Sequence, residues 1–181
     1  MPEDATLLLV FGGSLGAQHL NERVASLKNE LLSRDNLYVL HSTAPMTSRT
    51  PSVLLPDARG GEAYASSLHR QYGRYAGRAD LVLSRSGASS VAEIAALATP
   101  SVLVPYPHAT ADHQTTNARY LVDAGAGVLC ADADIDTQAF ADELLHLIDD
   151  AQARDAMRQA ARGLAQDRAA VLLADAVEGL R

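Results

Sequence analysis

Residues 84–117 read SRSGASSVAEIAALATPSVLVPYPHATADHQTTN. The stretch continues an apolar run, Leu81-Val82-Leu83, of the kind a buried parallel strand shows. The run ends at Ser84-Arg85-Ser86-Gly87, and Gly87 is free to take a positive φ. A helix is expected from near Ser90, because Val91, Ile94, Ala95 and Ala98 recur at i, i+3, i+4 and i+7. Thr99-Pro100 stops it, since a residue before proline avoids the helical region. Ser101 to Val104 is a second strand. A proline-interrupted loop follows, then a helix from about Asp112 to Ala124 that stops at Gly125.

The same alternation extends outward. Thr6 to Phe11 is an apolar strand, Gly12 to Gly16 a tight turn, and Leu20, Val24, Leu27 and Leu31 mark one face of a helix. Leu37 to Leu40 completes a strand–helix–strand unit, which implies a parallel pair and a right-handed crossover. His41 to Pro56 is rich in Ser, Thr and Pro and reads as loop around a short strand at Val53 to Leu55. Glu62 to Ala76 reads as helix, with Tyr64, Tyr72 and Tyr75 either as core fillers, the favoured reading, or as the lining of a ligand pocket. Val128 to Cys130 is the last strand. Thr137 to Ile148 is a helix, and two more apolar helical faces follow, Ala153 to Leu164 and Leu172 to Leu180. No linker or internal repeat divides the chain. The expected fold is α/β: one doubly wound, Rossmann-like parallel sheet over residues 1–181.

Composition sets limits on function. The 181 residues are 48% hydrophobic and 20% charged, which suits one globular domain rather than disorder. The net charge of −7 argues against nucleic acid and against electrostatic membrane anchoring. Cys130 is the only cysteine, so no internal disulfide can form. No run approaches the roughly 18 apolar residues of a spanning helix, and the acidic Met1-Pro2-Glu3-Asp4 is no signal peptide. A soluble cytosolic domain is the expectation.

Ligands of doubly wound sheets bind outside the carboxyl ends of the strands, and every distinctive loop here falls at such an end. After the Leu81 strand, the first N–H groups of the helix, at about Ala88 to Val91, lack helical partners and sit at its positive end. With the Ser89 and Ser90 hydroxyls they suit a phosphate or diphosphate. Glu93 has two readings. With Ser90 as N-cap it completes a capping box. Alternatively, one turn beyond the phosphates, its carboxylate accepts from both hydroxyls of a ribose. Spacing does not separate the two.

Three motifs carry a family resemblance: SGASSVAEIAA from Ser86, VPYPHA with DHQTTNA in the second half of the stretch, and the N-terminal GGSLGA…LN from Gly12 to Asn21. In order and content they resemble the donor-binding half of the MurG glycosyltransferases, family 28, over about residues 7–130. The resemblance implies one half of a GT-B enzyme. It implies the reaction of that family, transfer of N-acetylglucosamine from UDP-GlcNAc to lipid I, making lipid II for peptidoglycan. It implies that Ala88, Ser89, Ser90, Val91, Ala92 and Glu93 hold the diphosphate and ribose. It further implies that Gly13 and Ser14 approach the phosphates, that His113 and Gln114 face the sugar, and that Leu68 and His69 lie by the uracil. Two departures stand out: Leu15 replaces the family's usual Gln, and Ser67 to Tyr72 lacks the common acidic pair and Met. By the same resemblance no cofactor or metal is implied. The acceptor site and general base belong to an N-terminal domain absent from residues 1–181, and that half carries any membrane contact at the inner face of the cell membrane.

Rival readings remain. The chain is alternatively the donor-binding subunit of a two-chain transferase, inactive alone. Gly12-Gly13-Ser14-Leu15-Gly16 also satisfies the Gly-x-Ser-x-Gly of a serine hydrolase with Ser14 as nucleophile, although that elbow normally follows several strands rather than the first. A dinucleotide dehydrogenase needs Gly-x-Gly-x-x-Gly and an acid ending the second strand; here the spacing differs and His41-Ser42-Thr43 has no acid. Asp132-x-Asp134-x-Asp136 contains the Asp-x-Asp that metal-dependent sugar transferases use, or else it is a polar loop in which Asp136 or Thr137 caps the next helix. His108 and His113 do not have a helical zinc spacing.

Overall fold

A computed structural model describes residues 2, 5–12, 17–42, 52–55, 64–65 and 77–178, with side chains through residue 164 and only the backbone for 52–55 and 64–65. Seven strands form one sheet: β1 (Thr6–Phe11), β2 (Leu37–Ser42), β3 (Ser52–Leu55), β4 (Tyr64–Ala65), β5 (Leu81–Ser84), β6 (Ser101–Leu103) and β7 (Gly127–Leu129). The helices are α1 (Gln18–Ser26), α2 (Lys28–Leu32), α3 (Ala88–Leu97), α4 (His113–Val122), α5 (Gln138–Asp149) and α6 (Ala151–Glu178). Strand order is β4-β3-β2-β1-β5-β6-β7.

The five strands from β2 to β7 in that order are parallel, as expected, while β3 and β4 run antiparallel at one edge. Chain length explains the reversal at β3. A parallel crossover takes about a dozen residues or more, and residues 43–51 are too few. The strand at Tyr64–Ala65 corrects the helix expected to begin at Glu62; the rest of that stretch, through residue 76, lies outside the described residues.

Side-chain alternation along β1 divides the core. Leu8 and Val10 join Leu20, Val24, Leu27 and Leu31 below α1 and α2, together with Phe140, Leu144 and Leu147 of α5. Leu7, Leu9 and Phe11 point the other way, against Val91, Ile94 and Ala95 of α3 and Ala118 and Leu121 of α4. A period of two feeding two helical layers is what a strand buried on both faces must do. The expected single first helix is interrupted at Leu27, yet its apolar face stays continuous and buried. The two C-terminal faces are one helix, α6, which runs through Gly163; a Cβ there would meet nothing within 4 Å.

Helix α3 ends at Ala98, not at the proline. Ala98 takes φ 50°, its N–H donates to the Ala95 carbonyl, and the Thr99 N–H donates to the Ile94 carbonyl. This is a Schellman ending with alanine where glycine is usual. At the other edge Gly127 is required by close packing: a Cβ there would lie 2.9 Å from Ser101 Oγ and 3.3 Å from the Ser101 carbonyl.

Among the described residues no helix is long and apolar enough to cross a membrane.

Candidate donor site at the switch point

Progress across the sheet reverses between β1 and β5: from β1 the chain runs outward through β2 to the β3–β4 edge, then returns to β5 on the other side of β1 and continues outward through β6 and β7. Phe11 and Ser84 are register partners there, so the loops beginning at Gly12 and Arg85 leave the sheet side by side. A crevice at such a switch point is where doubly wound folds take ligands.

Helix α3 begins two residues earlier than its apolar period suggests. Gly87 is the N-cap, with φ −61° and ψ 150°, and among the described residues no side chain caps the helix. The Val91 N–H already donates to the Gly87 carbonyl at 3.0 Å, so the free donors are those of Ala88, Ser89 and Ser90 rather than a set reaching Val91. This start removes the capping-box reading. Ser90 lies in the third helical position and is buried, and Glu93 lies in the helix body, too far along to reach back to an N-cap. Glu93 and Ser89, one turn apart, are both exposed, as are Ala88 and Ala92; Val91 faces the core. The rise between Ser89 and Glu93 is about 6 Å at 1.5 Å per residue. An uncapped positive helix end with a carboxylate one turn further on therefore opens to solvent at the switch point.

The loop after β6 is bolted to this one. Ser86 Oγ donates to the Gln114 carbonyl at 2.8 Å, and Asn117 Nδ2 donates to the Ser86 carbonyl at 3.2 Å. Gln114 is buried, and its Oε1 accepts from the Tyr106 N–H at 3.0 Å. Its oxygen is thus committed to the loop. His113 is exposed, and its Nδ1 lies 2.7 Å from the Thr110 carbonyl; because a carbonyl only accepts, Nδ1 carries a proton. Just before it, Ala111 and Asp112 both hold left-handed backbone, φ 50° and 52°, an unfavourable conformation for non-glycine residues. Gly13, Ser14, Leu68 and His69 lie outside the described residues.

Beneath these loops runs an ionic network that the sequence reading did not pick out. Arg85 is 4% exposed. Its Nη1 donates to the carbonyls of Val104 (3.3 Å) and Pro105 (3.0 Å) and lies 2.5 Å from Asp132 Oδ1. Its guanidinium carbon stands 5.7 Å from the centroid of the Tyr106 ring. Asp132 Oδ2 lies 2.9 Å from His19 Nδ1, and His19 Nε2 lies 3.0 Å from Asp136 Oδ2. One chain of contacts therefore ties the carboxyl ends of β5 and β6, the loop after β7 and the first turn of α1. Burial alone would raise the Asp132 carboxyl, but hydrogen bonding with His19 and Arg85 outweighs it and holds the group below the usual range. His19 is raised, first by its hydrogen bond with Asp136 and then by that with Asp132. The Asp-x-Asp segment thus serves the network. Thr137, not Asp136, caps α5, accepting from the Phe140 N–H at 3.3 Å. Among the described residues no group of three or more His, Cys, Asp or Glu is placed to hold a metal ion.

A further histidine at this end is buried as the neutral ring. His41, at the end of β2, is 4% exposed, and its Nε2 donates to Asn21 Oδ1 at 2.9 Å. Burial pushes its pKa down to about 4. The unfolded chain takes this proton near the ordinary value of about 6.5, so in the window between the two values the unfolded state binds more protons. Stability contributed by the neutral ring is therefore complete above about pH 6.5 and is lost as pH falls towards 4, by about 3 kcal/mol in all. His41→Gln should flatten the melting-temperature profile over that window. An equally steep fall in the variant would assign the acid sensitivity to other groups.

Comparison with known proteins identifies the family. A family model described as the glycosyltransferase family 28 C-terminal domain matches residues 7–173. The chain is 37% identical over 188 residues to the UDP-N-acetylglucosamine–N-acetylmuramyl-(pentapeptide) pyrophosphoryl-undecaprenol N-acetylglucosamine transferase of Desulforudis audaxviator (strain MP104C), covering 99% of this chain and 50% of that protein. It is 40% identical over 173 residues to the protein of the same name from Chlorobaculum tepidum, covering 96% and 46%. The structure matches the crystal structure of Acinetobacter baumannii MurG with a TM-score of 0.69 at 26% identity, over 99% of this chain and 54% of that one. The calicheamicin glycosyltransferase CalG4 shares the fold, with a TM-score of 0.62 at 19% identity over 97% of this chain and 43% of that one. The chain spans about half the length of the curated relatives it matches. It belongs to the glycosyltransferase family 28 C-terminal domain family.

Proposed function

We propose that residues 1–181 form the donor-binding half of an inverting glycosyltransferase that passes N-acetylglucosamine from UDP-GlcNAc to lipid I. The observation that carries this reading is the uncapped N-terminus of α3 at the switch point, with Ser89 and Glu93 exposed one turn apart. The relatives' names supply the nucleotide sugar and the acceptor. In this reading the N–H groups of Ala88, Ser89 and Ser90 receive the diphosphate, and Glu93 accepts from the ribose hydroxyls. Gly13, Ser14 and His69 complete the nucleotide contacts, and His113 and Gln114 face the sugar.

The chemistry follows from charge. An acceptor hydroxyl attacks the anomeric carbon while the bond to the diphosphate breaks, so negative charge grows on the leaving UDP. Oriented N–H groups and a helix dipole already aimed at that position stabilise the growing charge without reorganising. The acceptor site and the base that takes its proton belong to the part of the relatives that this chain does not span, as does any contact with the cytoplasmic face of the membrane. The family match and the relatives' names favour neither the hydrolase nor the dehydrogenase reading.

Calorimetric titration tests the proposal. UDP-GlcNAc should bind at one site per chain and more tightly than UDP-glucose, NAD should not bind, and the chain alone should not turn over lipid I. Absence of UDP-GlcNAc binding, or preference for NAD, would overturn it.

A further inference from the structure

Both ring nitrogens of His19 face carboxylate oxygens, Nδ1 on Asp132 and Nε2 on Asp136. A carboxylate only accepts, and a neutral imidazole has one N–H. The two hydrogen bonds coexist only when the ring carries both protons. The clamp is therefore closed with imidazolium and loses one of its two bonds with the neutral ring.

That bond matters beyond the surface because of what Asp132 does next. Its other oxygen pairs with Arg85, whose Nη1 holds the Val104 and Pro105 carbonyls. Tyr106, the next residue, gives its N–H to Gln114. Ser86, the neighbour of Arg85, is tied to Gln114 and Asn117. Movement of the Asp132 carboxylate thus reaches both loops of the candidate donor site through two contacts. His19, Arg85, Tyr106, His108 and Asp132 also line one cavity of about 340 Å³ at this end of the sheet, so the network borders open space rather than a filled core.

We infer that His19 is a positioning residue. By clamping Asp132 and Asp136 against α1 it fixes Arg85, and with it the strand ends that carry the donor loops. Its influence on ligand affinity rests on the donor-binding reading above; its influence on Arg85 does not.

The other charged groups around His19 do not duplicate it. On α1, Gln18 donates to Glu22 at 2.8 Å, and Arg23 donates through Nη2 to the Thr137 carbonyl at 3.0 Å. From the loop after β7 come Asp132, Asp134 and Asp136, from the end of β5 Arg85, and from the loop after β6 His108. His108, the other histidine lining this cavity, serves as the control. The pKa of His19 is raised from its ordinary value, so the clamp opens as pH rises, not as it falls.

The test has two arms. In the first, UDP-GlcNAc is titrated calorimetrically from pH 6 to pH 8.5; its two phosphate groups each keep one full charge throughout. Wild type should lose affinity three- to tenfold across this range. His19→Ala should be weak and flat, Asp136→Asn should be intermediate, and His108→Gln should keep the wild-type profile. A flat wild-type profile, or a wild-type slope surviving in His19→Ala, would overturn the inference. In the second arm the ligand-free chain is followed by NMR, reading the His19 ring, Arg85 Nε–H and the Tyr106 amide. The Arg85 and Tyr106 signals should shift with the His19 midpoint in wild type and not in Asp132→Asn. If UDP-GlcNAc fails to bind at any pH, the donor reading falls, and this arm alone decides the positioning role: signals indifferent to His19 end it.

Discussion

Replacing Glu93 with glutamine is expected to weaken UDP-GlcNAc binding about 10- to 100-fold, the loss of charge-assisted hydrogen bonds of about 1.5–3 kcal/mol at about 1.4 kcal/mol per tenfold. Stability should change by less than about 0.5 kcal/mol, because Glu93 is exposed in the body of α3 and caps nothing. The contrast is what gives the experiment its force. A capping-box glutamate would lower the melting temperature and leave affinity alone, whereas a ribose acceptor does the reverse. Glutamine keeps one carbonyl oxygen of the same reach but offers an N–H where the second hydroxyl needs an acceptor. Unchanged affinity for UDP-GlcNAc in Glu93→Gln would remove the ribose role.

The decisive feature of that argument, the start of α3, was only partly legible in the sequence. Apolar periodicity reports the face a helix buries, and Val91, Ile94 and Ala95 are indeed buried. It does not report where the first turn begins, because Ala88 and Ser89 are exposed whether helical or not. The strands β1, β2, β5, β6 and β7 were legible because each is a short apolar run set off by glycine, proline or polar residues, and their parallel arrangement followed from the helices between them. The antiparallel edge was not, since hydrophobic pattern is silent about direction; the short connection after Ser42 was the available signal.

The network of Arg85, Asp132 and His19 was illegible for a different reason. Its members lie 47 and 66 residues apart in sequence, as their numbers show (132 minus 85, and 85 minus 19). No local pattern links them, and only the parallel topology brings the ends of β5 and β6, the loop after β7 and the start of α1 together. The one available hint was an arginine in the small-residue turn that leaves β5, where a buried charge needs a partner from elsewhere. Asp132 stands out in the sequence only as part of an Asp-x-Asp segment, whose local spacing points to a metal or a helix cap rather than an ion pair.

Arg85→Met should therefore be the most destabilising single change at this end of the sheet, by about 3–5 kcal/mol, the cost of removing one partner of a buried pair. Methionine fills much of the same space, so the loss is electrostatic more than steric. It leaves the Val104 and Pro105 carbonyls without their donor and Asp132 with only His19. At roughly 2–4 °C per kcal/mol for a chain of this size, the melting temperature should fall by about 6–20 °C. The double variant Arg85→Met with Asp132→Asn separates the two components. If the stranded carboxylate is the larger part of the cost, neutralising it should return some of the lost stability, and the double variant should melt above Arg85→Met alone. Stabilities that simply add would mean that Asp132 is not coupled to Arg85. In that case the cost lies in the two carbonyls, and the loop after β7 is held by His19 without passing anything to the strand ends. Coupling of about 1 kcal/mol or more would instead make Asp132 the joint between α1 and the floor of the site.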